Sequence, residues 1–178
     1  MSHTLIIYST TDGQTKKIGQ ALHDQLSDAG ESAMLLSLDQ AHSVDWSTIA
    51  QVYIGASIRY GHFNKALKAF ITKFQAQLES RPNGFFCVNL TARKAAKNTP
   101  TTNAYMVKFI KNSAWQPQLQ AVFAGALRYS TYRWNDRIII QFIMKLTGGS
   151  TDTSKDIEYT DWDKVAQFGR DIIEQTPS

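Results

Sequence analysis

The chain has 178 residues, 43% of them hydrophobic and 19% charged, with a formal net charge of +4 and a pI near 9.2. That balance predicts a single globular domain, residues 1–178, with a full core. It excludes a membrane-spanning helix, because no apolar run is long enough, an internal disulfide, because Cys87 stands alone in an apolar run, and a Cys/His metal centre, because no such cluster has ligand spacing.

No basic n-region and cleavable apolar stretch opens the chain, so residence in the cytoplasm is the default expectation. The positive charge suits an anionic small molecule or membrane face, or else is a plain solvated surface. No nucleic-acid-binding motif accompanies it, so no nucleic-acid partner is expected.

In chain order, the apolar residues 4–8 predict a strand. Ser9-Thr10-Thr11-Asp12-Gly13-Gln14-Thr15 follows, then a helical pattern to about residue 29. Ile18, Ala21, Leu22 and Leu26 share one face of it, and Gly30 stands just past its end. A strand, a hydroxyl-rich turn with one glycine and a helix start make a phosphate-binding arrangement. The first N–H groups of a helix have no intrahelical partner and carry the positive end of its dipole. An ordinary capped turn has much the same composition. With neither a Walker lysine nor G-x-G-x-x-G, the guest such a loop suits is a mononucleotide.

Residues 32–38 predict a second strand, and the polar stretch 39–47 at most a short helix. A third strand, 52–56, runs into Ser57-Ile58-Arg59-Tyr60-Gly61-His62. Leu67, Phe70, Ile71, Phe74 and Leu78 form one helical stripe, and Pro82-Asn83-Gly84 reads as a turn. Residues 85–90 show little polar alternation, as a strand buried on both faces should. A basic loop, 91–97, a helix over 102–111, a strand over 121–127 and a last helix over 161–174, capped by Thr160 or Asp161, complete the pattern.

This alternation predicts an α/β fold, a doubly wound five-stranded parallel sheet of order 2-1-3-4-5. Loops 9–15, 57–62 and 91–97 would then converge at the carboxyl ends of the first, third and fourth strands. Residues 128–160 exceed any minimal connection and form a long insertion after strand five. A helix from Trp134 aligns Arg137, Gln141 and Lys145 in one polar stripe and leaves Ile138, Ile139, Ile140, Phe142, Ile143 and Leu146 over the rest. Such a helix either packs on the core or presents apolar surface with flanking cations to lipid.

The first loop and the strand pattern resemble the flavodoxin-like family, which binds FMN. The resemblance narrows on Tyr53-Ile54-Gly55-Ala56-Ser57-Ile58-Arg59-Tyr60-Gly61-His62, Val88-Asn89-Leu90-Thr91-Ala92-Arg93-Lys94, Ala124-Gly125-Ala126-Leu127-Arg128-Tyr129 and Tyr159-Thr160-Asp161-Trp162. With the T-x-D-G-Q-T loop and the R-Y-x-x-Y-R-W insertion, these runs are similar to the bacterial FMN-containing, quinone-dependent protoporphyrinogen IX dehydrogenases of haem biosynthesis. That family implies a peripheral enzyme on the cytoplasmic face of the inner membrane. It takes hydrogen from protoporphyrinogen IX and passes the electrons to menaquinone or ubiquinone.

Carried over by position, Ser9, Thr10, Thr11, Asp12, Gly13, Gln14 and Thr15 would hold the FMN phosphate. Ser57, Ile58, Arg59, Tyr60 and Gly61, with Asn89, Leu90, Thr91, Ala92 and Arg93, would flank the isoalloxazine ring. Tyr60 is the evident stacking residue, because residues 91–97 hold no aromatic. Arg59, Arg93, Lys94, Arg128 and Arg133 are candidates for the substrate's propionates. Arg128, Arg133, Trp134, Arg137, Ile139, Phe142 and Ile143 are candidates for substrate or membrane contact. No general base stands out, and His62 is a weak candidate for moving protons. A flavodoxin-type electron carrier and an FMN-dependent NAD(P)H:quinone oxidoreductase are the alternatives. The basic charge and apolar insertion count against the carrier.

Overall fold

The continuous apolar runs become strands because a parallel strand sandwiched between helices has no solvent face to alternate with. The computed structural model describes residues 2–175. In chain order the elements are β1 (His3–Ser9), α1 (Gln14–Asp28), β2 (Ala33–Ser37), β3 (Ile49–Ser57), α2 (Lys65–Lys73), α3 (Gln75–Glu79), β4 (Asn83–Asn89), α4 (Ala104–Asn112), β5 (Leu119–Ala124), β6 (Ala126–Leu127), α5 (Trp134–Leu146), β7 (Ile157–Glu158) and α6 (Trp162–Glu174). The main sheet is parallel in the expected order, β2-β1-β3-β4-β5.

Two cores follow from the strand period of two. Leu5, Ile7, Val52, Ile54, Phe85 and Cys87 face one side, with Phe70 of α2, Met106 of α4 and Trp115. Ile6, Tyr53, Phe86 and Phe123 face the other, against Ile18 and Leu22 of α1 and Phe168 and Ile172 of α6. The insertion builds a third, smaller core from Leu127, Tyr129, Tyr132, Ile140 and Met144.

Three local expectations are corrected. The stripe from Leu67 to Leu78 is two helices, broken at Phe74 (φ −110°, ψ 19°), whose ring packs against Trp46 and His42. Asn83-Gly84 is the start of β4 and not a turn. The buried Asn83 amide donates to the carbonyls of Leu78 and Arg81, both at 2.9 Å, and its oxygen accepts from Gln118 N at 3.1 Å. A Cβ at Gly84 would lie 2.8 Å from Tyr53 Cδ1, so this glycine serves close packing. Finally, the strand expected over 121–127 divides at Gly125: Ala126–Leu127 leaves the main sheet and pairs antiparallel with β7. Of the two candidate caps, Asp161 caps α6, accepting from Asp163 N and Lys164 N, while Thr160 donates to Ala124 O at 2.7 Å.

Gly55, in the middle of β3, admits no side chain. A Cβ there would lie 2.0 Å from Phe86 Cζ in the sealed core. Gly55→Ala is therefore expected to cost about 1–3 kcal/mol or more by overpacking, read as a fall of several degrees in melting temperature. An unchanged midpoint would mean that the Phe86 ring moves aside freely.

Candidate functional site

Where β1, β3 and β4 end, three loops and the insertion enclose a cleft of roughly 890 Å³, its mouth included. The first wall is the start of α1. Gly13 sits at the N-cap with φ 86°, no side chain caps the helix, and its first turn holds no acidic residue. Thr10 Oγ1 accepts from Gly13 N at 3.0 Å and closes the turn. Thr15 is fully buried, and its hydroxyl has no partner among the described residues. Gln14 is anchored by donating to Thr160 Oγ1 at 2.9 Å and accepting from Arg128 at 3.0 Å. An uncapped helix N-terminus beside a buried hydroxyl with no partner among the described residues is a donor set that an anion's oxygens could satisfy.

The second wall is a tight turn. Tyr60 (φ 49°) and Gly61 (φ 80°) both lie in the left-handed region, and Arg59 and His62 exchange backbone hydrogen bonds at 2.9 and 3.1 Å around them. Two successive positive φ values are what such a two-residue turn requires. A tyrosine held there costs on the order of 1–2 kcal/mol, and the conformation presents its ring, 44% exposed, at the cleft mouth.

Arg59 is the electrostatic hub. Its guanidinium donates to Asp12 at 2.7 Å, lies 3.5 Å from Asp136 of the insertion, and stacks over the Tyr60 and Tyr132 rings at 5.0 and 4.9 Å. The Tyr60 hydroxyl donates to Asp136, and Tyr132 OH donates to Asp12 at 3.4 Å. Burial pushes the Asp12 carboxyl above its ordinary range against the opposing pull of Arg59. Burial and the Asp136 bond likewise hold the Tyr60 phenol protonated.

The third wall is the end of β4. Asn89 Oδ1 accepts from Ala92 N at 3.1 Å and Thr91 Oγ1 at 2.6 Å, and the Asn89 and Asn103 amides pair. Asn103 in turn caps α4 and donates to Lys97 O at 2.8 Å, fixing the basic loop. Arg93 donates to Leu90 O at 2.8 Å and to Thr147 O and Oγ1, both at 3.0 Å, so it ties this loop to the end of α5. Ile140, Ile143, Met144 and Thr147 of the insertion complete the lining.

Of the residues singled out from sequence, Thr10, Thr11, Asp12, Gln14, Thr15, Ser57, Ile58, Arg59, Tyr60, Gly61, Asn89, Leu90, Thr91, Arg93 and Ile143 line the cleft. Ser9 and Ala92 are buried behind it, and Arg128 reaches it only through Gln14. Arg137 donates to Tyr129 O at 3.1 Å, whereas Arg133, Trp134, Ile139 and Phe142 face outward. His62 is outside the cleft, on the rim of a neighbouring groove, and Lys94 is exposed. Tyr105, Tyr132, Met144 and the Gly125-Ala126 backbone also line the cleft and escaped the sequence reading. Tyr132 lay within the R-Y-x-x-Y-R-W run, while Tyr105 on α4 carried no signal. The Cys87 thiol is buried and pushed up to about 12, so it is inert.

A helix N-terminus with donors suited to a phosphate, at the switch point of a 2-1-3-4-5 sheet, is the arrangement of the mononucleotide-binding, doubly wound proteins. The chain belongs to the flavodoxin domain family, which matches residues 5–154, and within it to the protoporphyrinogen IX dehydrogenases [quinone]. It is 48% identical over 173 residues to the protein of that name from Escherichia coli strain K12, covering 97% of this chain and 96% of that one. It is also 48% identical to the one from Leishmania major, over 94% of this chain and 73% of that one. Oxidised flavodoxin 1 from Bacillus cereus, a solved structure, aligns over 99% and 100% of the two chains at 11% identity with a TM-score of 0.49. The fold assignment rests on the strand order and the family match. Family membership makes FMN the cofactor, and the donor set at the start of α1 is what a phosphomonoester needs. No helix among the described residues is long and apolar enough to cross a membrane.

Proposed function

We propose that this chain oxidises protoporphyrinogen IX to protoporphyrin IX through FMN held in the cleft and hands the electrons to a membrane quinone. The observation that carries the reading is the 48% identity over 97% of the chain to relatives of that activity, a match long enough to take in the insertion. Bound FMN supplies a ring that takes up two electrons from one partner and gives them to another. In this reading Thr10, Thr11 and Thr15 and the first N–H groups of α1 take the phosphate. Residues 57–61 and 89–93 would flank the ring, with Tyr60 as the exposed aromatic available to stack on it. Tyr105 and Tyr132 supply the aromatic surface that loop 91–97 lacks. The Arg59–Asp12–Asp136 cluster holds the insertion against the turn. Ile140, Ile143 and Met144 make the insertion's side of the cleft apolar, which suits a quinone.

The same reading places the protein on the cytoplasmic face of the inner membrane as a peripheral enzyme. The support is the outer face of α5, where Trp134, Phe142 and Leu146 are 77%, 61% and 71% exposed, with Arg133 and Lys145 beside them.

Anaerobic titration tests the assignment. Protoporphyrinogen IX is expected to bleach the flavin absorbance of the holoprotein, and a soluble quinone analogue to restore it, with no NAD(P)H present. Bleaching by NAD(P)H and not by protoporphyrinogen would transfer the function to an NAD(P)H:quinone oxidoreductase. Bleaching only by a reductase protein would make the chain an electron carrier.

A further inference from the structure

We propose that the groove between α2 and α4 is the seat of the tetrapyrrole, and that Lys65, Lys68 and Lys108 receive its two carboxylates. This rests on the function proposed above and adds the place and the chemistry of recognition. The groove adjoins the cofactor cleft: Ile58, Gly61 and Tyr105 line both. A ligand seated in it therefore reaches the Tyr60-Gly61 turn, the part of the cleft assigned to the flavin ring.

Its walls suit a broad, apolar macrocycle. Phe63, Leu67, Ile71 and Phe109 form them. Phe109 stacks on Phe85 at 4.0 Å, and Phe63 stands edge-on to both rings at 5.5 and 5.7 Å, so the aromatic wall is braced from behind. Open space in the groove is roughly 1160 Å³, mouth included.

Its rim suits a dianion. Lys65 and Lys68 are three apart on one face of α2, and Lys108 comes from α4. All three are exposed, none makes an ion pair among the described residues, and no Asp or Glu lines the groove. Three cations around an apolar trough without a counter-ion favour an amphiphile carrying negative charge. Three of the four arginines that the sequence offered for this task are engaged elsewhere, Arg59 with Asp12, Arg93 with Leu90 and Thr147, and Arg128 with Gln14, and the fourth, Arg133, is exposed and lines neither the cleft nor this groove. A neutral quinone headgroup gains less from three uncompensated lysines than a dicarboxylate does, so on this proposal the two lipophilic ligands approach by different walls, the quinone past α5 and the tetrapyrrole past α2 and α4.

The test uses the FMN-loaded full chain with Lys68→Glu and Lys108→Glu combined, and Lys68→Gln with Lys108→Gln as the milder pair. Protoporphyrin IX and its dimethyl ester serve as non-reacting probes, followed by porphyrin fluorescence. Wild type should bind the diacid at least about tenfold more tightly than the ester, the size of one charge-assisted contact. The Glu pair should abolish that preference and raise KM for protoporphyrinogen about tenfold or more, while kcat, flavin content, melting temperature and ester binding stay as in wild type. The Gln pair should fall between. A folded Glu pair that still oxidises protoporphyrinogen with unchanged KM and diacid preference overturns the groove and leaves the function standing. Wild type that binds the diacid in the groove yet never oxidises protoporphyrinogen overturns the function instead. Loss of binding to anionic vesicles with porphyrin binding intact would give the lysines to the membrane and also overturn the proposal.

Discussion

Thr15→Val should weaken FMN binding roughly 10- to 150-fold, the equivalent of one hydrogen bond to a charged group, while riboflavin, which lacks the phosphate, binds as before. The substitution keeps the shape of the side chain and removes one hydroxyl. That hydroxyl is sealed from water and has no partner among the described residues. Leaving such a group unpaired costs about 1–3 kcal/mol, so the Val variant should melt at the same temperature or higher when stripped of flavin. A residue that merely capped or packed α1 would behave in the opposite way, losing stability first and ligand second. Thr10→Ala is a less clean probe, because Thr10 Oγ1 already accepts from Gly13 N and its loss loosens the turn. The measurement is a pair of titrations against the quenching of flavin fluorescence. Equal weakening for FMN and riboflavin would show that the start of α1 does not hold the phosphate.

The sheet order was legible because its causes are local. Runs such as Leu5-Ile6-Ile7 and Phe85-Phe86-Cys87-Val88 are apolar on both faces, and amphipathic helices separate them. The three loops of the cleft followed from that order alone. Pairings made across the chain left no trace. Arg59 meets Asp12 and Asp136 from three separate segments, and no spacing rule connects them. Close packing also hides behind turn-like composition: Gly84 reads as a turn residue but is glycine because Tyr53 and Leu119 leave no room for a Cβ. The break at Phe74 escaped for a related reason. A one-residue kink leaves the apolar stripe intact, so the stripe cannot register it. The insertion helix was legible as a helix with too many apolar positions. Which of them the core covers depends on Leu127, Tyr129 and Tyr132, beyond the reach of the helical period.

That division of α5 sets the second large effect. One face is anchored: Ile140 and Met144 are buried, and Gln141 donates to Thr151 O at 2.9 Å. The opposite face is uncovered, with Phe142 and Leu146 one turn apart. Phe142→Asp with Leu146→Asp is therefore expected to leave melting temperature and flavin content unchanged, since neither side chain is buried and neither lines the cleft. Ile143 is less suitable for this test, because it lines the cleft as well. Each apolar side chain lost to lipid forfeits about 1.5–3 kcal/mol of transfer free energy, so binding to vesicles containing anionic lipid should fall well over tenfold. Turnover with a membrane-embedded quinone should fall with it, while turnover with a short-chain, water-soluble quinone should persist, because the chemistry in the cleft is untouched. Raising the salt concentration should weaken wild-type binding too, by screening Arg133 and Lys145 from the headgroups. A variant that unfolds would show that this face is covered by the protein itself. A folded variant that binds vesicles as wild type does would remove α5 from the membrane.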